Sequence, residues 1–256
     1  QANQQLLTQM QDKDEFIRAI THDLNAPVRN IAGMTKLLIK KYEAELADDA
    51  LSKLQRIAAN AKTETELLGD LLELSRIRTD RGKVSEVDIN VLVTGIVDSL
   101  SYDIEAKGID VQLADLPPLH ADRNRLRQVF QNLIDNAIKY MPGPDKAELR
   151  RIEVGVQQDD DVTTPVFFVR DTGRGINEKD HQRVFQVFQR ARYSGESEAV
   201  GRGVGLASVK TIIETYGGRI WLASEPGLGA TFYFTFAESV FIGSDSDQPE
   251  PTSASC

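Results

Sequence analysis

The chain has 256 residues, 41% of them hydrophobic, which is ample for one or two cores. Its formal net charge of −9 argues against a nucleic-acid partner. The single cysteine, Cys256, is the last residue, so neither a disulfide framework nor a cysteine zinc site is available, which suits a reducing compartment. No run of about 18 apolar residues is present to cross a membrane.

No signal peptide or initiating Met opens the chain, and the first residues already read as helix, so the sequence is expected to be a piece of a longer protein. Residues 1–80 read as two long helices. In the first, Ile17, Leu24, Ile31 and Leu38 recur in heptad steps, with Val28, Thr35 and Tyr42 as a companion row. In the second, Leu51, Leu54, Ala58, Ala61, Thr65, Leu68, Leu72 and Ser75 alternate steps of three and four. Residues 43–50 read as the turn between them. Two amphipathic helices cannot bury their stripes alone. An antiparallel helical hairpin that forms a four-helix bundle in a homodimer is therefore expected.

Residues 81–87 read as a linker, and a second domain is expected over 88–240. Its elements in order are a helix near 91–106, a short strand at 110–113, a break at Pro117-Pro118 and a helix over 123–140. A strand from Arg151, a hairpin turn at Asp159-Asp160-Asp161 and a returning strand over 165–170 follow. Helices near 178–188 and 204–216 come next, the latter ended by Gly217-Gly218. Strands near 219–224 and 230–236 flank a turn at Glu225-Pro226-Gly227. This mixed order predicts an α/β sandwich, so the class is α + α/β. Residues 241–256, rich in Ser, Pro and Asp, read as a disordered tail.

Within the first helix stands Ile-Thr-His-Asp-Leu-Asn-Ala-Pro-Val, residues 20–28. A proline inside a helix removes a backbone hydrogen bond and costs about 3 kcal/mol or more. If Leu24 and Ile31 line the seam, His22 points to the outer face. An exposed histidine, partly neutral near pH 7, can act as a nucleophile, and Asp23 beside it can take the departing proton. A solvated surface histidine would have the same spacing, so the reading depends on a phosphate donor elsewhere in the chain.

Three stretches supply a candidate donor site. Asn132 and Asn136 share one side of a helix whose other face carries Leu126, Val129, Phe130, Leu133 and Ala137, and Lys139 and Tyr140 extend the polar stripe. Amide oxygens suit Mg²⁺ beside phosphates, and a lysine offers a mobile charge. A wetted helix face would look the same. Asp171-Thr172-Gly173-Arg174-Gly175-Ile176 follows a strand; its carboxylate can accept from an exocyclic amine, although an ordinary Asp/Gly turn fits equally. Gly201-Arg202-Gly203-Val204-Gly205-Leu206 feeds a helix N-terminus, as an anion cradle or a flexible loop does. Its spacing matches neither the dinucleotide fingerprint nor the P-loop. The polar segment 191–200 before it suits a mobile lid.

In this order the stretches resemble the ATP-binding domain shared by histidine kinases, gyrase-type topoisomerases, Hsp90 chaperones and mismatch-repair ATPases. Val184–Arg190 resembles the phenylalanine box of sensor histidine kinases, and residues 16–28 resemble their phosphoacceptor box. The resemblance covers residues from about 12 to 237. It implies that His22 is the phosphoacceptor, with Asp23 orienting the ring and taking its proton. Asn136 is implied as principal Mg²⁺ ligand with Asn132 assisting. Lys139, Tyr140 and Arg190 would contact the phosphates or the base region. Asp171 would hold the adenine amine in a pocket shaped by Gly173, Gly175 and Ile176. Gly201, Gly203, Val204, Gly205 and Leu206 would wrap the phosphates. The implied partners are a second copy, an upstream sensor reached through a coiled coil over residues 1–15, and a response regulator whose aspartate takes the phosphoryl group. A bacterial cytoplasmic location is implied, with any membrane anchor belonging to the full-length protein.

Three departures stand out. Ala26 replaces the Thr or Asn that many relatives carry four residues after the histidine, which predicts weak or absent phosphatase activity. Val204 replaces the usual Leu, and the lid is short. Pro27 is expected to loosen the helix next to His22. The rival readings are a gyrase- or Hsp90-type ATPase without phosphohistidine, and a pseudokinase scaffold that binds nucleotide without transfer.

Overall fold

The computed structural model describes residues 2–43, 45–79, 82–143, 149–159, 162–189, 191 and 203–241, with side chains of the first helix described at Ala19, Thr21 and from Asp23 onward. The chain divides into two compact units, Gln1–Asp80 and Arg81–Cys256.

The first unit is a helical hairpin of α1 (Ala2–Tyr42) and α2 (Asp48–Thr79). The turn is tied by Glu45 and Leu46 N–H groups donating to the Tyr42 carbonyl. The two predicted rows of α1 part company. Thr21 and Thr35 are buried and Val28 and Tyr42 half-buried, whereas Leu24, Ile31 and Leu38 are 47%, 50% and 44% exposed. The companion row, with Thr21 in step with it, therefore faces α2, and the Leu24–Ile31–Leu38 row forms, with Met34 and Leu37, an apolar stripe exposed on this chain. Thr35 returns its hydroxyl to the Ile31 carbonyl at 2.7 Å, which satisfies a buried polar group inside the seam. α1 is continuous through Pro27, which has no N–H to donate to the Asp23 carbonyl one turn back.

The second unit is a two-layer sandwich. Its elements are β1 (Val84–Val87), α3 (Ile89–Ser99), α4 (Ser101–Lys107), β2 (Asp110–Leu113), β3 (Leu119–Asp122), α5 (Arg123–Lys139), β4 (Arg151–Asp159), β5 (Val162–Asp171), α6 (Gly205–Thr215), β6 (Ile220–Glu225) and β7 (Gly229–Phe234). The main sheet has strand order β2-β4-β5-β7-β6, antiparallel except for the β2-β4 pair. β1 and β3 form a separate antiparallel ribbon. The core lies between the sheet and α5, where Phe130 meets Phe234 edge-on at 5.6 Å and Phe167 stacks on Phe234 at 5.5 Å. Leu126, Val129, Phe130, Leu133 and Ala137 are all buried, as the periodicity predicts, and each of the first four contributes about 1.5–3 kcal/mol. On the opposite face Trp221, Tyr233 and Phe168 form a cross-strand row, with the Phe168 ring lying on Gly155.

Several elements differ from the sequence reading. Val84–Val87, read as linker, is a strand, because it pairs with the equally short Leu119–Asp122 that the prolines mask. The helix expected over 91–106 starts earlier, where Asp88 caps the Val91 N–H, and is interrupted at Leu100. The helix expected near 178–188 is two short 3₁₀ turns, Glu178–Asp180 and Arg183–Phe185. The returning strand is longer than 165–170, with Pro165 next to the register irregularity between Gln157 and Asp159. Gly217 takes φ +68° and closes α6 as expected. Asp160 and Asp161 of the expected hairpin turn, most of the expected lid and the tail beyond Phe241 lie outside the described residues.

Candidate functional site

α5 positions one wall of a cleft. Its N-terminus is fixed by Asp122, whose Oδ1 accepts from the Asn124 and Arg125 N–H groups at 2.8 and 3.0 Å. With the apolar face committed to the sheet, Asn132, Asn136, Lys139 and Tyr140 fall on the opposite, half-buried side. Asn136, Lys139 and Tyr140 line the cleft, and Asn132 stands behind the start of α6, its Oδ1 3.1 Å from where a Cβ on Gly205 would lie.

The floor is the end of β5. Asp171 pairs with Ala230 of β7 and is buried. Its carboxylate accepts from the Gly173 N–H at 2.8 Å. Burial pushes its pKa from 3.8 up to about 6, against the pull of the Gly173 and Ala230 N–H groups. The loop that follows is held on both sides. The Arg174 N–H donates to the Tyr140 carbonyl at 3.2 Å, the Gly227 N–H to the Arg174 carbonyl at 2.8 Å, and the Ile176 N–H to Ser224 Oγ at 2.8 Å. Gly175 sits at φ +70°, and a Cβ there would lie 1.9 Å from the Glu225 carbonyl oxygen, so only glycine fits.

The third wall is the N-terminal turn of α6, with Gly205 and Leu206 on the cleft and Val204 buried behind them. Its N–H groups and helix dipole favour an anion. Gly203 takes φ +72° and its carbonyl accepts the Phe188 N–H at 2.9 Å, which pairs a residue before the expected lid with one after it. Together these walls enclose a cleft with a cavity volume of about 130 Å³ that opens to solvent. Cations flank Tyr140: Lys139 Nζ is 4.7 Å and Arg174 Cζ 5.7 Å from its ring centre.

Of the residues singled out in the sequence, Asn136, Lys139, Tyr140, Asp171, Gly175, Ile176, Gly203, Gly205 and Leu206 share this cleft. Gly173 lies beneath it as the Asp171 donor. Arg190, Gly201 and the side chain of His22 lie outside the described residues; the His22 backbone is helical within α1, and Asp23 is exposed. Arg174, Val184, Gln189, Ala191, Ala230 and Phe232 also line the cleft and were not named as site residues, although Val184 and Gln189 stand in the Val184–Arg190 stretch. Arg174 stands inside a motif already noticed and could have been found there. Ala230 and Phe232 reach the site only through the β5–β7 register.

A mixed α/β sandwich with an Asn-bearing helix, a buried strand-end aspartate and a glycine-fed helix N-terminus around one cleft defines the ATP-binding fold shared with gyrase and Hsp90. The family described as "Histidine kinase-, DNA gyrase B-, and HSP90-like ATPase" matches residues 121–240, and "His Kinase A (phospho-acceptor) domain" matches residues 12–80. Cyanobacterial phytochrome B of Nostoc sp. is 35% identical over 239 residues, 93% of this chain and 31% of its own length. The adaptive-response sensory kinase SasA of Prochlorococcus marinus is 32% identical over 244 residues, 92% of this chain and 60% of its own length. Among solved structures, full-length ShkA in complex with AMPPNP superposes with a TM-score of 0.64 at 25% identity, covering 89% of this chain and 46% of ShkA. The chain belongs to the histidine kinases. It spans 31% to 60% of the length of these relatives. Among the described residues no helix is long and apolar enough to cross a membrane.

Proposed function

We propose that this chain transfers the γ-phosphoryl group of ATP to His22 and then to an aspartate of a response-regulator receiver domain. The observation that carries the reading is the grouping of Asn136, Lys139, Tyr140, Asp171 and the α6 N-terminus around one cleft, in a chain whose helical hairpin bears His-Asp. The ring nitrogen of His22 attacks the γ-phosphorus, the bond to the β–γ bridging oxygen breaks, and ADP leaves. Asp23 takes the ring proton. Phosphoryl transfer is mainly positioning and charge neutralisation. Asp171 holds the base amine, Lys139 offers charge to the phosphates, and the α6 N–H groups receive their oxygens.

The neutral amide oxygens of Asn132 and Asn136 on one helix face fit a hard divalent cation beside phosphate, and Mg²⁺ bound there would neutralise developing charge. A homodimer is supported by the stripe Leu24, Ile31, Met34, Leu37 and Leu38, which needs a second apolar surface. A cytoplasmic site of action accords with ATP as donor.

The test is incubation with γ-labelled ATP and Mg²⁺ of the wild type, His22→Gln and Asn136→Ala. Acid-labile, base-stable label lost in both variants is expected. Label retained by His22→Gln would move the acceptor elsewhere, and ATP bound without label in the wild type would favour the scaffold reading.

A further inference from the structure

Lys107, the last residue of α4, does not line the cleft, yet its side chain ends on the helix that does. Its Nζ donates to the Ile138 carbonyl at 2.6 Å and lies 3.5 Å from the Lys139 carbonyl. These belong to the C-terminal turn of α5, where carbonyls run out of in-helix donors. The Tyr140 N–H donates to Asn136 at 3.0 Å, while the next bond, Met141 to Ile138, is stretched to 3.4 Å. The Tyr140 carbonyl accepts the Arg174 N–H. A Cβ on Gly173 would be 2.9 Å from that same Tyr140 oxygen, so the turn and the Asp171 loop lie in tight contact.

Three successive carbonyls therefore meet donors from two directions. Ile138 and Lys139 face the ammonium of Lys107, and Tyr140 takes the loop. An ammonium at a helix C-terminus also opposes the negative end of the dipole. Lys107 is half-buried, with Asp103 one turn before it on α4 and Arg174 near enough to repel it. A cation held there despite partial burial and a second cation nearby has a specific use for its donors.

We propose that Lys107 is a positioning residue for nucleotide binding: by capping α5 it fixes the turn that presents Lys139 and Tyr140 and anchors the Arg174 loop. This rests on the nucleotide reading of the cleft. Removing the ammonium leaves the terminal carbonyls short of a donor, and the turn, Tyr140 and the loop relax together.

The experiment compares the whole chain as wild type, Lys107→Met, Lys107→Arg and Asp103→Asn. Amide hydrogen exchange without nucleotide is read at Tyr140 and Arg174; ATP affinity is titrated; label incorporation is measured at saturating ATP. Lys107→Met is expected to speed exchange at both amides and to weaken ATP binding by about tenfold, a charged hydrogen bond's worth. The saturated rate should stay within about twofold. Lys107→Arg should restore affinity, and Asp103→Asn, which leaves the cap, should match the wild type. Unchanged exchange at Tyr140 and Arg174 in Lys107→Met would overturn the proposal, as would lowered thermal stability with unaltered ATP affinity. A wild type that binds no ATP would defeat the nucleotide reading itself, and with it the affinity role, while exchange would still decide whether Lys107 orders the turn.

Discussion

Replacing Asp171 by asparagine should stabilise the second unit while removing nucleotide binding. The wild-type carboxyl is buried, and its pKa is raised from 3.8 to about 6 chiefly by that burial. Between those values the folded protein holds a proton that the unfolded chain has lost, so stability falls as pH rises through this window. Above about pH 6 the full cost stands, about 3 kcal/mol at about 1.4 kcal/mol per pKa unit. Near pH 5 the same linkage gives about half of it. Asparagine keeps an acceptor for the Gly173 N–H but never ionises. It turns an amide donor towards one of the two backbone N–H groups, which offsets about 1–2 kcal/mol at every pH. The pH-dependent part is therefore the clean quantity: Asp171→Asn should gain about 1.4 kcal/mol more, relative to wild type, at pH 7.5 than at pH 5. Urea unfolding followed by fluorescence of Trp221, the only tryptophan, reports the second unit. Other titrating groups cancel in the difference. A stability difference between the two proteins that is the same at both pH values would refute the argument, because it would mean that the buried carboxyl carries no ionisation cost.

Two further changes test the supports of the cleft. Gly175→Ala puts a Cβ 1.9 Å from the Glu225 carbonyl at a positive φ; it should destabilise the second unit by more than about 2 kcal/mol and abolish ATP binding, as read by Trp221 unfolding and nucleotide titration. Asp122→Ala removes the α5 cap and the acceptor for the Lys83 N–H at 3.0 Å; a loss of about 2 kcal/mol is expected, with Asp122→Asn losing less than about 1, and equal losses would show that capping geometry is not what the carboxylate supplies.

Legibility in the sequence followed the range of the interactions. α5 could be read almost residue by residue, because its apolar stripe and its asparagines are set by helical period alone. The hairpin could be read from heptads, but which row faces α2 could not. Leu24–Ile31–Leu38 is the more apolar row, yet it is the threonine-bearing row that turns inward, where Thr35 returns its hydroxyl to the Ile31 carbonyl and so leaves no unsatisfied polar group in the seam. β1 and β3 were hidden because a four-residue strand has no periodicity of its own and exists by pairing. Val184, Phe185, Val187 and Phe188 carry helix-like spacing, but Phe188 sits at φ +63° to give its N–H to Gly203, and a continuous helix cannot do both.

The same distinction runs through the site. Asp171 and Gly175 could be picked out as residue types suited to a base pocket, and their glycine and carboxylate chemistry was visible in one motif. What makes Asp171 unusual is its burial, and that comes from residues far along the chain: Ala230 donates to it from β7, and Gly229 brings that strand within reach of the Asp171 carbonyl. Likewise Lys107 was unremarkable at the end of a polar helix until α5 was laid across it. Motifs thus identify the groups that meet the ligand, whereas the groups that set their charge and position arrive from strand register and helix packing. Substitutions of the second kind should change affinity and pH dependence while leaving every recognisable motif intact.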